Sequence, residues 1–132
     1  MGNLRSVENA CKKLGFKVKI VSVPSELSEF DKLILPGVGS FKKAMEEIKK
    51  RSWDIALKDF NKENKKILGI CLGMQLLFSF GEEDGGSNGL NFFEGKCTKL
   101  KASKNYPVPH IGFNSVLHDG EDIWKDIDDN PF

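Results

Sequence analysis

Lys65-Lys66-Ile67-Leu68-Gly69-Ile70-Cys71-Leu72-Gly73-Met74-Gln75-Leu76-Leu77-Phe78 decides how the rest of this 132-residue chain is read. Its first half holds a short, almost wholly apolar run ending at Cys71, the pattern of a strand buried on both faces of a parallel sheet. Its second half stays apolar through Phe80 and reads as a helix over residues 72–80. Gly69-Ile70-Cys71-Leu72-Gly73 falls at the junction, a G-x-nucleophile-x-G spacing set between strand and helix. That context suits a nucleophile elbow, a turn so tight that its flanking positions must lack a Cβ and its central side chain is pushed out at the C-terminal edge of the sheet. A helix N-terminus favours the thiolate, which is the reactive form of cysteine. The Leu72 N–H is placed to donate to an oxyanion. The competing reading is a small buried cysteine between two packing glycines; the strand–turn–helix setting favours the elbow.

Working upstream, Ser52 starts an amphipathic helix with Trp53, Ala56, Leu57 and Phe60 inward. Before it, Ser40 caps a helix carrying Phe41, Ala44, Met45 and Ile48 at i, i+3, i+4 and i+7. A strand over residues 30–35 runs into Pro36-Gly37-Val38-Gly39, whose backbone N–H groups could face the elbow across the sheet edge. The plain alternative is a glycine-rich strand-to-helix turn, and the segment lacks the spacing of a phosphate loop. Residues 18–23 alternate and are rich in β-branched side chains, which predicts a strand closed by Pro24. Asn3 opens a helix with Leu4, Val7, Cys11 and Leu14 on one face and Gly15 as its stop. Downstream, residues 81–89 read as a flexible loop by composition, and strands are expected over residues 96–100 and 111–117. Alternating helix and strand patterns predict an α/β chain with a mostly parallel sheet between helices, organised as one domain over residues 1–132.

Composition narrows the class of function. Apolar residues make up 39% and charged residues 30%, and the formal net charge is +1. No strong field points to nucleic acid or anionic lipid, and no apolar run is long enough to cross a bilayer. Cys11, Cys71 and Cys97 are odd in number, far apart and without C-x-x-C spacing, which argues against a disulfide framework or a metal site and for a reducing cytoplasm. Cys11 reads as a core residue and Cys97 as an inward-facing strand residue.

Three blocks carry a family resemblance: Pro36-Gly37-Val38-Gly39-Ser40-Phe41, Gly69-Ile70-Cys71-Leu72-Gly73-Met74-Gln75-Leu76-Leu77-Phe78 and Pro109-His110-Ile111-Gly112-Phe113-Asn114. They resemble the signature blocks of the class I glutamine amidotransferases, in the family's order, and most closely those of the glutaminase subunits of imidazole glycerol phosphate synthase. The resemblance implies a three-layer, flavodoxin-like fold with helices on both faces of the sheet. It implies that Cys71 attacks the carboxamide of glutamine, forming a glutamyl thioester and releasing ammonia. Leu72 N–H and the backbone around Val38 would hold the oxyanion, and Gly37, Gly39 and Gln75 would line the glutamine pocket. No cofactor is implied. Ammonia would pass to a (β/α)8-barrel synthase subunit, the heterodimer partner, near the face formed by Asn3, Pro109, His110, Phe113 and Asn114.

The family's F-V-H-S-Y-like strand and H-P-E segment, which carry its base and orienting carboxylate, do not occur in these 132 residues, and neither does its first strand. The chain is therefore expected to be incomplete at both ends, inactive alone and marginally stable. His110 and His118 read as an interface and a turn residue rather than as a replacement base. Alternative readings are an amidotransferase serving another synthase, such as one that amidinates a sugar, a non-catalytic regulatory module, or a general cysteine hydrolase.

Overall fold

A computed structural model describes residues 4–104, 107–109, 111–112, 115, 117 and 124–125. The chain divides into two compact units, Met1–Lys99 and Leu100–Phe132, and the helices and strands fall in the first. The expected cap at Asn3 and the residues His110, Phe113, Asn114 and His118 lie outside the described residues, as do residues 113, 114 and 116 of the strand expected over residues 111–117, whose described residues 111, 112, 115 and 117 belong to no strand.

Two strands, β1 (Lys32–Gly37) and β2 (Lys66–Cys71), pair in parallel, with Lys32 opposite Lys66 and Gly37 opposite Cys71. Helices α2 (Phe41–Lys50) and α3 (Trp53–Lys62) form the crossover between them. Strand periodicity places Leu33, Leu35 and Ile67 on one face, where they pack against the core of Leu27, Phe41, Met45, Leu57, Phe60, Leu72, Leu76, Leu77 and Leu90. Inward-facing positions of α2 and α3 match the 3.6-residue spacing: Phe41, Met45, Leu57 and Phe60 are buried, with Ala44, Ile48, Trp53 and Ala56 packed beside them.

The opposite face differs from the expectation that β2 is buried on both sides. Leu68 and Ile70 are 47% and 40% exposed. Neither is among the partly buried side chains that pack against the core, which on these two strands are Leu33, Leu35 and Ile67. An apolar run records what a strand could bury, not which neighbours reach it.

The apolar stretch after Cys71 also departs from prediction. Helix α4 covers only Leu72–Leu76; Phe78–Gly81 is strand β3, joined by β4 (Ser87–Asn88) and β5 (Phe93–Cys97) in a mixed sheet of order β4-β3-β5. The cause is competition for backbone acceptors. The carbonyls of Leu76 and Leu77 accept from Leu90 N at 2.8 Å and Phe92 N at 2.8 Å, and that of Ser79 accepts from Gly89 N at 2.9 Å. The returning segment thus occupies the oxygens that would have propagated the helix. Residues 81–89, expected to be flexible, hold a short 3-10 turn over Glu83–Gly85 and the strand β4.

Near the start, α1 (Leu4–Lys13) has the predicted extent, and Gly15 follows it at φ 82°. No residue of α1 is buried, so Cys11 is only partly covered rather than in the core. Residues 18–23 join neither sheet. The N–H groups of Ser22 and Val23 donate instead to the Glu26 carboxylate at 3.2 and 3.3 Å, at the head of a 3-10 helix over Pro24–Glu29. A side chain takes the place of a ladder partner. Lys19 Nζ lies 2.7 Å from the same carboxylate. The Lys19 contact, followed by the two N–H bonds, holds Glu26 below the usual glutamate range.

Two outcomes test this account. Leu57→Ala lowers stability by about 2–5 kcal/mol, whereas Leu68→Ala, on the half-exposed face, costs less than about 1.5 kcal/mol; urea denaturation distinguishes them. Because its folded-state pKa is depressed, Glu26 contributes stability above its unfolded pKa that is lost as pH falls through the folded value. Carbon-detected NMR titration is expected to show Glu26 titrating below an ordinary glutamate, and Lys19→Ala to move it upward.

Candidate active site

Cys71 ends β2 and immediately precedes α4. Its backbone sits at φ 55°, ψ −121°, a region that costs a non-glycine residue about 1–3 kcal/mol. Such a conformation persists only where surrounding structure imposes it, and here the close approach of the backbones does so. A Cβ on Gly69 would come within 2.6 Å of Met74 N, and one on Gly73 would overlap the carbonyl oxygen of Leu35. Both positions of the G-x-C-x-G spacing are therefore glycine for the reason the elbow reading requires. The turn leaves the Cys71 side chain exposed.

The β1–β2 register sets Gly37 directly opposite Cys71, so the two backbones are neighbours at about 4.8 Å, the spacing of adjacent strands. Gly37 is itself in close contact with α4: a Cβ there would lie 2.9 Å from Gly73 N and 3.1 Å from Leu72 Cβ. Val38 follows, 55% exposed, and then Gly39 at φ 105°, a value that side chains rarely adopt. Leu72 buries its side chain in the core. Its N–H opens α4, where the first donors of a helix have no intrahelical partner. Gln75, four residues after Cys71 on α4, is exposed. The fold thus gathers Gly37, Val38, Gly39, Cys71, Leu72 and Gln75 at the C-terminal ends of two parallel strands, where ligands of α/β sheets commonly bind.

Two residues that sequence reading passed over also belong to this region. Ser40 precedes α2, as expected, but its hydroxyl makes no cap bond to the helix. It donates instead to Asp84 Oδ2 at 2.6 Å. The Phe41 N–H, an orphan donor of the first turn, goes to Glu83 Oε2 at 2.7 Å. Glu83 and Asp84 come from the segment expected to be a flexible loop. No local pattern could have paired them with a helix more than forty residues earlier; the acidic Glu82-Glu83-Asp84 run was the only hint.

Cys97 lies on β5 with its Sγ 3.6 Å from the Gln75 carbonyl oxygen. Burial pushes its thiol pKa up, and the residue is partly covered. Among the described residues no group of three or more His, Cys, Asp and Glu side chains could hold a metal ion. No helix among them is long and apolar enough to cross a membrane.

Comparison with known proteins agrees with this geometry. A family profile, glutamine amidotransferase class-I, matches residues 1–130. The chain is 43% identical to the imidazole glycerol phosphate synthase subunit HisH of Sulfurimonas denitrificans, over all of this chain and 65% of that protein. It is 43% identical to the subunit of the same name from Bacillus mycoides and 41% identical to that of Bacillus cereus, in each case over all of this chain and 63% of the relative. The chain therefore spans somewhat under two thirds of the length of these curated relatives. With the elbow, its glycines and the facing β1 loop in the family's order, the chain belongs to the class I glutamine amidotransferases.

Proposed function

We propose that this chain is the nucleophile-bearing part of a glutaminase subunit that supplies ammonia to imidazole glycerol phosphate synthase, in histidine biosynthesis. One observation carries the reading: Cys71 stands exposed at a strained elbow, in register with Gly37, in a chain of the glutamine amidotransferase family. The similarity to proteins named as HisH subunits narrows the synthase.

In this proposal the Cys71 thiolate adds to the carboxamide carbon of glutamine. The oxygen becomes an oxyanion that accepts from Leu72 N–H and from the backbone around Val38. Collapse of the adduct breaks the C–N bond and expels ammonia, leaving a glutamyl thioester on Cys71. Water then cleaves the thioester, giving glutamate and the free thiol. Gly37 and Gly39 leave room for the substrate against the backbone, and Gln75 offers an amide to its polar end. Proton transfer to the departing nitrogen contributes typically 10²–10⁴-fold; we assign that role to none of the described residues. The ammonia passes to a (β/α)8-barrel subunit in a cytoplasmic heterodimer. Three free cysteines suit a reducing compartment.

Mass spectrometry after treatment with a diazoketone analogue of glutamine tests the reading. Label is expected on Cys71 alone and is suppressed by excess glutamine. Equal labelling of Cys11 and Cys97, or none anywhere, refutes it and favours a non-catalytic module. Gly73→Ala is expected to abolish the glutamine-protected label, because its Cβ cannot coexist with the Leu35 carbonyl and the elbow must open. Co-purification with a barrel synthase subunit, rather than a sugar-modifying ligase, is the expected outcome for the partner.

A further inference from the structure

We infer that Glu83 and Asp84 are positioning residues that set the geometry of residues 38–40, and through them the oxyanion donors opposite Cys71. This rests on the reading of Cys71 and the Val38 backbone as glutaminase machinery. Residues 38–40 are a three-residue span between two fixed points. At one end Gly37 is held by its pairing with Cys71 and by its close approach to Gly73 and Leu72. At the other end Phe41 is 2% exposed, its ring pressed against Gly81, where a Cβ would lie 2.6 Å from the ring, and near Gly89, where a Cβ would lie 3.2 Å from the ring tip. Between these anchors the path is governed by the flexible Gly39 and by whatever holds Ser40 and the Phe41 N–H.

The acidic turn holds both. Glu83 accepts the Phe41 N–H at 2.7 Å and Asp84 accepts the Ser40 hydroxyl at 2.6 Å. Bonds to ionised acceptors are roughly twice as strong as neutral ones, and carboxylates are favoured at a helix N-terminus. The turn is itself fixed: Glu82 N donates to the Cys97 carbonyl at 3.0 Å and Gly86 N to the Glu83 carbonyl at 3.0 Å. Asp84 adopts φ 52°, ψ 40°, a left-handed conformation in which it reaches Ser40. The β3–β5 sheet thereby reaches the loop after β1 through two side chains that touch no reacting atom. Losing either lets the Val38–Gly39 peptide drift, and a misplacement of about 1 Å can cost about 10²-fold.

The test compares two reagents at Cys71 in the intact chain. The diazoketone analogue of glutamine needs a polarised carbonyl; iodoacetamide needs only an accessible thiolate. Glu83→Ala is expected to slow the maximal rate of glutamine-protected diazoketone labelling by about 10–100-fold, with the half-saturating concentration and the iodoacetamide rate unchanged. Glu83→Gln keeps an acceptor for Phe41 N–H and is expected to restore most of the rate. Asp84→Ala and Ser40→Ala are expected to give smaller losses that do not add in the double variant, because they break the same bond. Wild-type rates in Glu83→Ala and Asp84→Ala overturn the inference. So does a loss confined to the half-saturating concentration, which would make Glu83 a substrate-binding group, or a parallel rise in Cys11 and Cys97 labelling across all four variants, which would make the turn purely structural. A wild-type chain without glutamine-protected label overturns the glutaminase reading and, with it, this one.

Discussion

A side chain at position 73 would have to share space with the carbonyl oxygen of Leu35. That exclusion governs the packing of this half of the molecule. It lets α4 press against the ends of β1 and β2 at backbone distance. It also demands the second glycine at position 69, whose missing Cβ makes room for Met74. With both neighbours pulled in, the chain can pass from strand to helix only if Cys71 takes a positive φ. The strain is local and modest in size; it is offset by the burial of Leu72, Leu76 and Leu77, which the same close approach brings into the core.

The consequence is one of placement. Cys71 stands with its side chain facing solvent, while the glycines on either side of it are in close backbone contact. The parallel register then puts the end of β1 directly across from it. A ladder pair between two short strands is among the stiffer ways to hold two backbones side by side. Phe41 extends this rigidity: one ring, wedged against Gly81 and Gly89, locks the start of α2 to the second sheet.

The sheet faces tell a different physical story. On one side Leu33, Leu35 and Ile67 pack against the core to which α2, α3 and α4 contribute. On the other, Leu68 and Ile70 remain substantially exposed among the described residues. Exposed apolar area of this kind weakens the energetic case for β2, since a side chain left in water forgoes much of its burial energy of about 1.5–3 kcal/mol.

From the sequence alone the elements with a single local solution were legible. Helices α1, α2 and α3 follow from their 3.6-residue spacing, and β1 and β2 from compact apolar runs next to glycine. The elbow was legible too, because its glycines are required by the backbone turn and so appear at fixed spacing around Cys71. Residues whose state depends on a competing partner were not. Leu76-Leu77-Phe78 suits helix or strand equally, and the N–H groups of Leu90 and Phe92 decided the matter by claiming the carbonyls of Leu76 and Leu77. Residues 18–23 have the composition of a strand, yet Glu26 rather than a neighbouring strand took two of their N–H groups. Glu83 and Asp84 read as solvated loop until tertiary structure carried them to the head of α2. Local spacing records the conformations a segment can adopt; which of them is realised depends on hydrogen-bond partners dozens of residues away, and that information resides only in the folded chain.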